Sequence, residues 1–527
     1  MKKALLKTTL SLSLLLSLQN AGFAQQTQWH NDLRQQFQQN NAVIYGLVIR
    51  NFNAKDLNGD KLISPEKGEQ IGTFVNATER LDELKALGIN TLHILPITKT
   101  GKTFALGNAG SVYSMASFNE IEPSLDDKNC ALSVFEEAKN FVEECHKRNI
   151  RVMIDLPACV SSDMFAEKPD IFLKDEKGNP IIPLDWSDVR LLKPLNNDGS
   201  LNKEVLELHK QFVDMYLSLG ADGIRADVAS VKPPALWKEV INYARKTDPN
   251  FAFLAESSDA WTKPVDKRIK PNNYNQILDE GFDAYYGSYF KIDEWKTAED
   301  LNKHVIFNLN LFKKHKNPVS SIGSFATHDE KSPVSSRGVA LSKMIVMLNA
   351  TLPKLNPYFI SGFETGDEYN YDFAEKTAEF SCTDSKTYFV HPNKLDIFNF
   401  SAKPEGNHPE IAILMKKALK FREENNDLIT KGSFIPLKTG NKEVIAFARS
   451  HGTKTLIFIA NRDILNPITI ELRIKGLSNA GRVDNFAYNY SALFSEDQII
   501  SNLAAGETQV FIINNFNMDK FAEKVYK

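Results

Sequence analysis

Eight short apolar runs, each set off from the next by helical spacing or turn residues, constrain this chain more than any other feature. The runs are Val43–Ile49, Thr91–Pro96, Arg151–Leu156, Gly223–Asp227, Phe251–Ala255, Phe282–Tyr286, Val319–Phe325 and Pro357–Ser361. Between them, apolar residues recur at three- and four-residue intervals: Leu81, Leu84 and Leu87; Phe135, Ala138, Val142 and Cys145; Val205, Phe212, Val213, Tyr216 and Leu217; Leu236, Val240 and Ala244. Strand followed by helix, repeated, predicts a parallel sheet. Eight such units predict an α/β chain folded as a (β/α)8 barrel, a TIM barrel, in which reactive groups sit where strands end and loops begin.

Two departures from the repeat mark further organisation. The connection from the third run to the helical pattern near Lys203 is about 45 residues long, against the usual 2–6, and is read as an insertion subdomain over 158–203. After the helical segment Pro409–Glu424 the pattern turns to alternating strands at Val444–Ala448, Thr455–Ile459, Thr469–Ile474 and Gln509–Ile513. They predict a C-terminal antiparallel β-sandwich over 431–527, with the barrel over 25–430.

Lys2, Lys3 and Lys7 precede the apolar stretch Leu10–Leu18, and Asn20–Ala24 offers small residues before a cut after Ala24. Residues 1–24 therefore read as a signal peptide, and the chain as exported, periplasmic or extracellular, without membrane insertion once the signal is removed. A balance of 63 Lys and Arg against 66 Asp and Glu argues against a nucleic-acid-coating protein. Four cysteines are too few for a disulfide scaffold. Cys130 and Cys145 bracket one expected helix and would stand roughly 22 Å apart, too far to bond; Cys159 and Cys382 are expected as free thiols too.

Three acids close three different expected strands: Asp227 the fourth, Glu256 the fifth and Asp329 the seventh. In a barrel these ends converge on one face, and two carboxyls about 5–5.5 Å apart are what a retaining glycosidase needs. Arg225 lies two residues before Asp227, so both project from one face of the strand, where a guanidinium keeps a carboxylate ionised. His328 stands next to Asp329, within reach of a sugar hydroxyl.

The segments Gly223-Ile224-Arg225-Ala226-Asp227, Phe253-Leu254-Ala255-Glu256 and His328-Asp329 resemble the strand-four, strand-five and strand-seven motifs of glycoside hydrolase family 13, the α-amylase family. Leu87–Asn90 leading into Ile94–Ile97, and Val112-Tyr113-Ser114, are similar to it as well. The resemblance implies a hydrolase of α-glucans or maltooligosaccharides. Asp227 would be its nucleophile, Glu256 its acid and base, and Asp329 its transition-state stabiliser. It further implies that Arg225, His328 and Tyr113 hold the sugar in the cleavage subsite and that Asp155 buttresses Arg225.

The third-strand motif departs from the family. Asp155-Leu156-Pro157-Ala158 is followed by Cys159-Val160 where the family has Asn-His, so the usual subsite histidine is absent, and with it the Asn that helps hold the amylase calcium. A subgroup of α-1,4-glucan maltosyltransferases using maltose 1-phosphate also lacks Asn-His, and Ser161-Ser162-Asp163, Lys232-Pro233 and Ser361-Gly362-Phe363-Glu364 resemble it. An exported enzyme would not meet a sugar phosphate made inside the cell. The reading is therefore a retaining α-glycosidase, with α-glucan transfer and a catalytically inactive carbohydrate-binding protein as its alternatives.

Asp56-Leu57-Asn58-Gly59-Asp60-Lys61-Leu62 places side-chain oxygens at alternate positions and a carbonyl at the seventh, the pattern of calcium loops. Asp56, Asn58, Asp60 and Leu62 are the expected ligands of one structural calcium, with Glu66 or Glu69 standing in for a later acid. Among the aromatics, Tyr113 is expected to line the subsite, whereas Trp186, Trp261, Tyr285 and Tyr286 are expected to pack.

Overall fold

The computed structural model describes residues 29–527 apart from 185, 262, 369–394, 481, 487–489 and 494–495. The expected signal segment and Cys382 lie outside the described residues. Asp32–Lys527 forms one compact unit, which is the part described below.

Nine parallel strands make the central sheet: β1 (Ile44–Leu47), β2 (Thr91–Ile94), β3 (Arg151–Leu156), β4 (Gly223–Ala226), β5 (Ala252–Ala255), β6 (Ala284–Tyr285), β7 (Ser320–Ile322), β8 (Leu355–Asn356) and β9 (Tyr358–Ile360). Neighbours follow the chain from β8 back to β1, and β9 pairs with β1 in turn. This is the predicted (β/α)8 barrel, with its eighth strand in two pieces. The break is Pro357, which has no N–H to give a ladder; its carbonyl instead accepts from Ile44 N at 2.8 Å. β8 therefore bonds β7 and β9 bonds β1, and the barrel closes across the proline. Residues of β1 to β9 are buried throughout, which is why these strands read as continuous apolar runs rather than alternating ones.

The helices begin and end on local chemistry. Ser133 and Glu136 form a capping box at the start of Val134–Lys147. Asn202 caps Lys203–Leu219, which stops at Gly220 in the left-handed region, φ 86°. Cys130 lies in the turn before Val134 rather than at the end of a helix containing Cys145; both thiols are free, as is that of Cys159. The 158–203 stretch holds isolated bridges, among them Val160 with Arg190 and Phe172 with Leu192, and shares an apolar cluster with Val228, Val231, Val265 and Ile269.

The C-terminal strands form two antiparallel sheets. Six strands run in the order β10 (Ser433–Pro436), β11 (Val444–His451), β12 (Lys454–Asn461), β17 (Thr508–Asn514), β14 (Arg482–Asn485) and β15 (Tyr490–Leu493). β13 (Ile468–Arg473) pairs with β16 (Gln498–Leu503). Arg449 of β11, fully buried, ties this region to the barrel by donating to the carbonyls of Thr351, Ile429, Gly432 and Ser433 at 2.6–2.9 Å.

Candidate active site

The ends of β3, β4 and β5 bring Asp155, Asp227 and Glu256 onto one guanidinium. Arg225 Nη1 lies 2.9 Å from each oxygen of Asp155 and 2.7 Å from Asp227 Oδ1. Its Nη2 is 2.9 Å from Glu256 Oε1, an ion-pair contact without hydrogen-bond geometry. Its Nε donates to Tyr286 Oη at 3.1 Å. Arg225 and Asp155 are fully buried. A buried charge persists only when paired, and three acids around one cation meet that need.

The remaining oxygens are fixed by backbone. Asp227 Oδ2 accepts from Ala158 N at 2.8 Å, and Glu256 Oε2 from Val228 N at 2.6 Å. Val228 takes φ 33°, ψ 58°, a left-handed conformation that is an outlier for a β-branched residue. Strain of this kind persists where the surroundings over-determine it, characteristically at sites that do chemistry; here it falls between the two carboxyls.

Their environments separate the acids. Burial alone would raise Asp155, but Arg225 and then His93 overturn it and hold the carboxyl below its ordinary range. Burial raises both Asp227 and Glu256. Arg225 opposes the rise at both; the charge of Asp155 raises Asp227 and the Ala158 amide lowers it, whereas the charges of Asp227 and Asp329 push Glu256 well above the usual carboxylate value. The larger rise at Glu256 favours its acid form over that of Asp227.

Tyr113, His328 and Asp329 stand beside this hub. Tyr113 Oη donates to Asp155 Oδ2 at 2.8 Å and lies 2.8 Å from His328 Nε2, the two rings stacked 5.5 Å apart. His328 Nε2 is 3.2 Å from Asp329 Oδ2. Burial lowers His328 to about 4, so it is neutral at pH 7. Its Nδ1 is buried with no hydrogen-bond partner among the described residues. All seven residues expected to act on the sugar thus fall in one constellation, and five of them, Tyr113, Asp227, Glu256, His328 and Asp329, face a cleft of about 550 Å³.

The structure adds residues that motif reading did not single out. His93 Nε2 lies 3.2 Å from Asp155 Oδ2 and its Nδ1 3.0 Å from Tyr358 Oη, so a second buried layer orients the carboxylate beneath Arg225. A histidine inside the apolar run Thr91–Pro96 was the available signal. Trp186 and Trp261, expected to pack, line the cleft; Tyr285 and Tyr286 are buried as expected. At the altered third-strand motif Cys159 also faces the cleft, and Lys232 lies buried behind it with Nζ donating to Pro157 O at 3.0 Å. Burial lowers that lysine to about 8.

The Asp56–Leu62 loop closes on its own amides. Asp56 accepts from the N–H groups of Asn58, Gly59 and Lys61, Asn58 Oδ1 from Asp60 N, and Asp60 from Leu62 N. Glu69 rather than Glu66 turns into the loop, accepting from Leu57, Asn58 and Ser64. Lys61 is left-handed, φ 71°, at the sixth position, where calcium loops place glycine. Among the described residues no group of three or more His, Cys, Asp or Glu is gathered as a metal set.

No protein-family model matches the chain. It is 24% identical over 419 residues to α-1,4-glucan:maltose-1-phosphate maltosyltransferase 1 of Streptomyces coelicolor, covering 74% of this chain and 56% of that relative, and so spans little more than half of it. It is 22% identical over 451 residues to α-amylase 3 of Dictyoglomus thermophilum, covering 77% and 82%. Among solved structures, a noncanonic maltogenic α-amylase of Thermotoga neapolitana superposes with a TM-score of 0.65 at 20% identity, covering 90% of this chain and 99% of that one. An α-amylase of Lactobacillus plantarum gives 0.66 at 18%, covering 90% and 100%. The likeness to the α-amylase family, maltosyltransferases included, thus extends along most of the chain.

Proposed function

We propose that the protein is a retaining glycoside hydrolase of the α-amylase type, acting on α-glucosidic bonds through a covalent glycosyl-Asp227 ester. The observation that carries the reading is the pairing of Asp227 and Glu256 on one guanidinium; burial and the charges of Asp227 and Asp329 raise Glu256 well above the usual carboxylate range, which favours it as the proton donor. Glu256 gives that proton to the glycosidic oxygen while Asp227 attacks the anomeric carbon, so the C–O bond to the leaving group breaks as the ester forms. Glu256, now a carboxylate, takes a proton from water, and the attacking oxygen displaces Asp227. Tyr113, His328 and Asp329 hold the ring, and Asp155 fixes Arg225 as a positioning residue.

A 5-fluoro-α-glucosyl fluoride tests this by mass spectrometry. Accumulation of a glycosyl adduct on the peptide carrying Asp227, absent in Asp227→Asn, is expected. Turnover with no adduct at Asp227, or an adduct on another residue, would overturn it.

Transfer to a second sugar is the alternative, favoured by the likeness to maltosyltransferases; it shares the ester and differs in which hydroxyl arrives. Export is proposed from residues 1–24, and an N-terminus at Gln25 on the protein recovered outside the cytoplasm checks it. A structural calcium held by Asp56, Asn58, Asp60 and the Leu62 carbonyl is proposed from their spacing and the left-handed Lys61.

A further inference from the structure

Lys232 is a cation set inside the protein, 1% exposed, a short way along the chain from Asp227. Its Nζ donates to Pro157 O at 3.0 Å. The N–H of that same peptide unit belongs to Ala158 and donates to Asp227 Oδ2 at 2.8 Å. Peptide bonds among the described residues are trans, so the carbonyl and the N–H of one unit point in opposite directions. A single peptide plane therefore stands between ammonium and carboxylate, accepting from the first and donating to the second.

Both sides of this arrangement are fixed. Asp227 N donates to Leu156 O at 3.0 Å, so the turn Leu156–Ala158 is gripped at Leu156 O, Pro157 O and Ala158 N by the stretch from Asp227 to Lys232. Asn272 pins that stretch in turn, its N donating to Ser230 O at 3.0 Å and its Nδ2 to Lys232 O. The ammonium also lies 5.4 Å from the centroid of the fully buried Trp237 ring.

Holding a carbonyl does not require a charge. A glutamine could donate to it and a methionine would fill the space, whereas an ammonium taken out of water is far more costly than either. What the charge adds is polarisation: a cation on the carbonyl oxygen makes the N–H of the same unit a stronger donor, and a hydrogen bond to a carboxylate favours its ionised form. The other titratable groups here do not supply that charge. Asp227 is met by Arg225 on its own strand, Asp155 on β3 and Glu256 after β5. Lys232 is met by Cys159, whose thiol burial pushes up and leaves uncharged at pH 7, and by His209, which burial lowers to about 3 and leaves neutral.

We infer that Lys232 is a positioning residue for the nucleophile: through the Pro157–Ala158 peptide its charge holds the amide on Asp227 and keeps that carboxylate ionised and oriented for attack. The inference rests on Asp227 acting as the nucleophile, the reading proposed above.

NMR of the carboxyl carbons in aspartate-labelled protein, with the Asp227 signal identified by its loss in Asp227→Asn, reads the ionisation without turnover. Lys232→Met removes both charge and donor; Lys232→Gln removes the charge alone. Asp227 should bind its proton about three- to tenfold more tightly in Lys232→Met, with Lys232→Gln in between, and kcat on maltoheptaose should fall by a similar factor or more while KM changes little. An Asp227 titration unchanged in both variants would overturn the inference, whatever the rate does. Should neither variant fold, the wild type decides: the amide nitrogen resonance of Ala158 should shift as Lys232 loses its proton near pH 8, and a resonance that does not respond would overturn it. A wild type that forms no glycosyl adduct at Asp227 would remove the hydrolytic reading instead, while the titration alone upholds or overturns the hold of Lys232 on that carboxylate.

Discussion

Arg225 and Asp155 meet through one nitrogen, Nη1, 2.9 Å from both carboxylate oxygens, with neither side chain reached by solvent. The same nitrogen holds Asp227 at 2.7 Å, so the position of the proposed nucleophile depends on a residue one strand away. Replacing Asp155 by Asn removes one of the three acids around a buried cation. A loss of order 3 kcal/mol in unfolding free energy is expected by denaturant titration, with a larger fall in kcat than in KM. A loss below about 1 kcal/mol would mean that Asp227 and Glu256 compensate Arg225 unaided.

The acid step needs Glu256 protonated and Asp227 ionised, so activity should fall on the acid limb as Asp227 takes up a proton and on the alkaline limb as Glu256 loses one. The negative charge of Asp329 is among the causes that raise Glu256, after burial and Asp227. Removing it makes ionisation of Glu256 easier. The residual activity of Asp329→Asn should therefore show its alkaline limb at lower pH than the wild type; a limb that stays put or rises would contradict the assignment.

Gly46 of β1 leaves no space for a side chain. A Cβ there would stand 2.3 Å from Tyr358 Oη and 2.9 Å from Ile360 Cδ1. Tyr358 holds His93, and His93 holds Asp155. Gly46→Ala should cost about 1–3 kcal/mol and reduce turnover by disturbing this chain of contacts, read by thermal melting alongside initial rates. An unchanged melt and rate would show that the tyrosine moves freely.

These contacts also mark what the sequence revealed. Parallel barrel strands are buried on both faces, so their apolar runs stood out, and the acids at their ends could be ordered by strand. His93, Tyr286 and Tyr358 could not be assigned that way. His93 and Tyr358 are 265 positions apart, and only barrel closure brings them together. Trp186 and Trp261 sit on loops, whose course no periodicity encodes; both pack as expected, Trp186 on an apolar cluster and Trp261 on Phe290, and both also line the cleft, which the sequence did not show. The split of the last strand at Pro357 was visible as a proline but not as the seam that closes the barrel.

For the Asp56–Leu62 loop, bound calcium would stabilise the folded state by mass action. A chelator should lower the melting temperature and added calcium should restore it. A melt that ignores both would leave the loop as a turn closed by the amides of Asn58, Gly59, Asp60, Lys61 and Leu62.

The proposed chemistry is tested most directly by following the anomeric configuration of the first product. Proton NMR on 4-nitrophenyl α-maltoside and on maltoheptaose, with wild type and Asp227→Asn, reads it before mutarotation. The account predicts an α-configured sugar released by the wild type alone. A β-configured first product, or equal release by Asp227→Asn, would contradict a covalent ester on Asp227.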